Sequence, residues 1–134
     1  MNAVEGLITA PSRAGPAETL QRLEAAVTSR GLTVFARIDH AAGAAAVGLD
    51  LPPTTLLIFG NARGGTPLMQ ARQLLGIELP LKALVWQDSA RKTWLSYADP
   101  RWIAERYGQP ASAAAGLASV LELVITETLT ENGT

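Results

Sequence analysis

Leu56, Leu57, Ile58 and Phe59 follow one another without a polar break inside the short run 54–59. A strand that is apolar on both faces needs cover on both, so this run demands an interior place in a sheet. The cover must come from helices or from a partner subunit. It sits in a stretch, 36–69, that also holds the chain's single histidine and its glycine-rich segment.

The flanking elements read in chain order. Residues 6–10 form a first short strand, and 11–15 a turn. Pro16 opens a helix, since its missing N–H costs nothing at the first helical position. Leu20, Leu23 and Val27 make its apolar stripe, and Gly31 ends it. Residues 32–38 alternate, placing Leu32, Val34, Ala36 and Ile38 on one face and Thr33, Phe35 and Arg37 on the other. Asp39 is placed to cap a short helix of small residues beginning at His40. After the strand 54–59, a loop over 61–65 leads to Thr66-Pro67, which carries a cap-then-proline signature for another short helix. Residues 81–87 and 92–97 form a hairpin around the turn 88–91. Asp99-Pro100 starts a further helix with Ile103 and Tyr107 inward. Leu117, Val120, Leu121, Val124 and Ile125 give the last and longest helix a broad apolar face. Residues 130–134 are expected to fray.

About five strands and five helices, with no linker or repeat between them, fit a single domain over 1–134. The expected fold class is α+β: a two-layer sandwich, with helices packed on a mostly antiparallel sheet of about five strands. One link stays open. The strands ending at Ile38 and starting at Thr54 are separated by enough chain for a parallel crossover as well.

Composition narrows the function classes. The formal net charge is −1, with acids and bases interspersed, which argues against a nucleic-acid partner. The chain has no cysteine, so thiol nucleophiles, disulfides and thiolate-held metals are excluded. Apolar runs fall well short of the ~20 residues of a membrane helix, and no secretory signal is visible. The expectation is a cytoplasmic protein without a membrane partner.

Five segments carry a family resemblance: GLTVFARIDHAAGA (31–44), LPPTTLLIFGN (51–61), GTPLM (65–69), LPLKALVW (79–86) and SYADP (96–100). In this order and spacing they resemble the family catalogued as domain of unknown function 302. The family-like core spans about 31–108, and the amphipathic helix at about 112–130 is less diagnostic. The resemblance implies an antiparallel sheet backed by helices, often as a homodimer, and it supplies no substrate, cofactor or mechanism. Where the family usually carries a proline and a lysine between Asn61 and Gly65, this chain has Ala62 and Arg63, which keeps the positive charge.

Several residues have the chemistry for a site. His40, near a helix N-terminus with Asp39 beside it, has the makings of a general base, although capping and a first-turn position explain the pair more simply. A lone histidine cannot build a metal site. The segment from Gly60-Asn61 to Gly65-Thr66, with Arg63 inside it, has the form of an anion-holding turn or of a plain cap. Lys82 is either an inward cation or a side chain snorkelling at the sheet margin. Three functions follow. The preferred one is a dimeric binding domain with a small anionic or polar ligand near His40, Asn61, Arg63, Thr66 and Lys82. The others are an enzyme with His40 as base and Asp39 in support, and a dimerisation module without ligand. If the strands around 38 and 54 run antiparallel, His40 and Asn61 lie apart within one chain.

Overall fold

The computed structural model describes residues 3–130. Five strands, β1 (Leu7–Ser12), β2 (Thr33–Asp39), β3 (Thr54–Gly60), β4 (Leu81–Gln87) and β5 (Thr93–Ala98), form one sheet in the order β1-β5-β4-β3-β2. Every neighbouring pair is antiparallel. The helices are α1 (Pro16–Ser29), α2 (His40–Ala46), α3 (Ala62–Ala71), α4 (Pro100–Arg106) and α5 (Ala115–Leu129), with 3-10 turns at Gln73–Ile77 and Ala111–Ala114. The fold class is α+β, with helices against an antiparallel sheet.

The alternation of the strands decides what lies where. Leu57 and Phe59 of β3, Leu81, Ala83 and Val85 of β4, and Leu95 and Tyr97 of β5 point to one face. There they meet Leu23, Ala26 and Val27 of α1 and Leu121, Val124 and Ile125 of α5. Burying Phe59 and Leu57 completely contributes about 1.5–3 kcal/mol each. The segment Ala111–Leu129 is long and apolar enough by composition to cross a membrane, at 19 residues and mean hydropathy 1.4. Its Leu121, Val124 and Ile125 instead close the core over the sheet. A smaller cluster joins Leu68, Leu75, Ala104 and Ala114 at one end.

Among the described residues, the other face carries no helical layer. Register puts Ile38, Leu56, Leu84, Trp86 and Trp94 there, none of them part of either core cluster. Trp86 and Trp94 stack across the hairpin with centroids 6.2 Å apart. Lys82, paired with Ile58, is charged, and the Lys92 ammonium lies 4.6 Å from the centroid of the Trp94 ring.

Three local expectations are corrected. β1 does not turn at Pro11 but runs to Ser12, because an edge strand tolerates a residue with no donor. The alternation in β2 breaks at a bulge between Val34 and Ala36. Beyond it Ala36 and Ile38 move to the open face, and Arg37 turns inward to pair with Glu24 of α1. The helix expected to start at Thr66-Pro67 begins five residues earlier, capped by Asn61, whose Oδ1 accepts from the Gly64 N–H at 2.8 Å. Pro67 then lies inside α3 and removes one ladder hydrogen bond. Gly64 is glycine inside a helix because α3 approaches α5 closely: an added Cβ would fall 2.7 Å from Cδ2 of Leu117. Of the residues expected to fray, 131–134 lie outside the described residues.

Candidate functional site

β2 and β3 are antiparallel, with Thr33 opposite Gly60 and Asp39 opposite Thr55. His40 and Asn61 therefore leave opposite ends of the β2–β3 pair, separated along β3 by roughly 24 Å at about 3.4 Å per residue. The candidate residues divide into three groups.

At the first end, Asp39 caps α2, accepting from the Ala42 N–H at 2.9 Å. Its carboxylate is thus spent on the backbone. The His40 side chain is exposed, lines none of the hollows described here, and has no hydrogen-bond or ion-pair partner among the described residues. Asp39 and His40 share no hydrogen bond among the described residues. No residue of α2 is buried.

Lys82 lies on the open sheet face, where its Nζ donates to the Glu78 carbonyl at 2.9 Å. Leu7, Leu56, Leu84 and Ile103 surround it in a shallow hollow of about 200 Å³. The Glu78 carboxylate meanwhile accepts from the Tyr107 hydroxyl at 2.5 Å. That hydrogen bond, above all, pushes the Tyr107 phenol above its ordinary value of 10.0.

Asn61, Arg63 and Thr66 remain together, on the first turns of α3. Asn61 and Thr66 line a hollow of about 220 Å³ whose walls are Phe35, Met69, Leu79 and Leu117. Arg63 lines an adjoining hollow of about 390 Å³ that shares Asn61, Leu81 and Leu117 with the first. The structure therefore groups three of the five expected ligand residues and sets His40 and Lys82 apart from them. Sequence reasoning missed the walls. Phe35 reaches this end only through the β2 bulge, and Leu117 only because α5 folds back over α3. The adjacent glycines 64 and 65 were the available signal for that close approach. Among the described residues, no group of three or more His, Asp or Glu stands close enough to hold a metal ion.

The chain is 50% identical over 102 residues to a fluoride-specific ion channel, FluC 1, of Brucella suis biovar 1 (strain 1330). The match covers 76% of this chain and 40% of that protein. FluC 1 of Brucella abortus biovar 1 (strain 9-941) matches equally over 102 residues, 38% of its length. The chain thus spans about two fifths of the length of these relatives. The crystal structure of an uncharacterized conserved protein DUF302 from Bacillus stearothermophilus superposes with a TM-score of 0.84 over 93% of this chain and 99% of that one, at 22% identity, which speaks for a shared fold. The family described as Domain of unknown function DUF302 matches residues 8–127, and the chain belongs to it.

Proposed function

We propose that this chain is an interaction module that pairs with a second copy of itself through the open face of its sheet. One observation carries the reading. The face is largely apolar, and most polar side chains on it, Thr33 excepted, are already hydrogen-bonded within the described residues. Ser96 Oγ bonds both Thr9 Oγ1 at 2.8 Å and Trp86 Nε1 at 2.9 Å. Trp94 Nε1 donates to Asp88 Oδ2 at 2.9 Å, Thr54 Oγ1 to the Pro52 carbonyl at 2.8 Å, and Lys82 to Glu78. Covering such a face gains apolar burial and leaves few new unpaired groups behind.

The size fits a second copy. Five strands about 4.8 Å apart and about six residues long present roughly 400 Å² in projection, before side chains roughen it. Exposed rim residues Leu7 and Ile38 extend the patch. That projected area is about half the ~800 Å² per partner of a standard interface, within the range of monomer patches that are often functional.

The Brucella relatives carry a segment like this one in proteins named as fluoride-specific ion channels. A self-pairing segment holds two copies of whatever it is joined to, or bound to, side by side, and we infer an accessory part of that kind for this chain. A cytoplasmic setting agrees with a fold that needs no disulfide. The enzyme reading draws less support, because the exposed His40 has no partner among the described residues and Asp39 is bonded to the Ala42 N–H.

Sedimentation equilibrium tests the proposal. The wild-type chain should run at twice its 14.1 kDa mass, and Leu84→Glu, in the middle of the face, at the monomer mass with an unchanged far-UV spectrum. Ile38→Lys, at the rim, should weaken association without touching the core. A wild-type chain that stays monomeric at high micromolar concentration sinks the reading.

A further inference from the structure

We propose that the hollow at the C-terminal end of β3 binds a small carboxylic acid with a phenyl-sized apolar tail. The site lies beyond the strand ends, away from the open sheet face, and does not depend on pairing of two copies.

The tail follows from the walls. Phe35, Met69, Leu79 and Leu117 surround about 220 Å³. An apolar cavity of about 150 Å³ is enough to take up benzene, so a ring with a short stem fits here. Met69 has no branch and three rotatable bonds, which lets this wall adjust to the shape of the guest.

The acid follows from the mouth. Thr66 has no hydrogen-bond partner for its hydroxyl among the described residues. Asn61 uses Oδ1 to cap α3, which leaves its amide N–H groups to donate outward. Arg63, two residues on, lines the adjoining hollow with no acid partner among the described residues. No aspartate or glutamate lines either hollow, and the first turn of α3 contains none. Asn61 and Thr66 donors therefore line the first hollow and Arg63 the adjoining one, with no acidic side chain among their linings, an arrangement that a carboxylate bridging the two satisfies with charge-assisted hydrogen bonds. A neutral amide of the same shape would meet the same walls but forgo the charge.

The test uses 3-phenylpropionate, its neutral amide and propionate as probes, followed by amide chemical shifts of the full chain. Phenylpropionate should move the resonances of residues 60–69 and 79–81, and should bind about tenfold more tightly than the amide. Propionate, which lacks the ring, should not saturate. Ala62→Trp, filling the mouth from an exposed position, should abolish the shifts. Arg63→Ala should reduce the acid's affinity toward the amide's, and both variants should melt as the wild type does. Leu84→Glu should still bind, so failure of pairing and failure of this site can be told apart. The proposal is overturned if phenylpropionate causes no shifts up to about 10 mM. It is equally overturned if the shifts map elsewhere, or if acid and amide bind alike.

Discussion

Gly6→Ala should be among the more damaging single-methyl additions to this chain. Gly6 has φ +83°, in the left-handed region, and an alanine there costs about 1–2 kcal/mol in backbone strain. The added Cβ would also fall 2.1 Å from Cδ2 of Trp102 and under 2.5 Å from two more indole atoms. A fused ring cannot bend away, so the whole side chain must shift, losing its contact over Gly6 and disturbing its place beside Arg106. Overpacking of this kind costs about 1–3 kcal/mol, giving a total of roughly 2–5 kcal/mol. With a urea slope of about 1.5–2 kcal/mol per molar, the midpoint should fall by at least about 1 M. Far-UV circular dichroism is the suitable readout, because three tryptophans confuse fluorescence. A double-mutant cycle separates the two causes. In a Trp102→Ala background the methyl has nothing to strike, and Gly6→Ala should cost only the backbone share, about 1–2 kcal/mol. An equal cost in both backgrounds, or a loss below about 0.5 kcal/mol in the wild type, would refute the steric argument.

Two further outcomes can be checked by denaturation. Gly43 sits mid-helix in α2 with nothing within 4 Å of an added Cβ, so Gly43→Ala should stabilise by about 0.5–1 kcal/mol in urea titrations. A loss of stability would mean that α2 packs against something in solution. Asp88 accepts hydrogen bonds from Trp94 Nε1, above all, and from the Lys92 and Ala90 N–H groups, and these hold its carboxyl below the ordinary 3.8. A depressed folded value means that its stabilisation is complete above the unfolded value and is lost as pH falls through the lower folded one. Asp88→Asn should therefore melt lower than wild type at neutral pH. The gap should narrow as pH drops below 3.8, whereas parallel melting curves would contradict the assignment.

Much of the fold was legible because its signals are local. The turn over 88–91 separates two strands, Asp99-Pro100 marks a helix start, and Asp39 caps α2 in the way its position suggests. Where two signals competed, the sequence could not choose. Asn61 and Thr66 are both good caps, and tertiary packing of Gly64 against Leu117 favours the earlier one over the proline-marked one. The β2 bulge was hidden because the sequence keeps alternating through Phe35 while the register does not. The direction of β3 relative to β2 was undecidable, since the linking segment suits either, and that direction alone determines whether His40 and Asn61 can meet. The hollow beside Asn61 is built from residues at 35, 61–69, 79–81 and 117, distances along the chain that no local pattern reports.

The order of the sheet leaves β1 and β2 as its two borders, each with unused backbone groups that could recruit a further strand. Both borders are spoiled for that purpose. Pro11 interrupts the row of donors on one, and the irregularity at Phe35 twists the other out of line. Ribbon-like growth from copy to copy is thereby discouraged, so that this chain can keep a greasy sheet in water without seeding fibres along its rims.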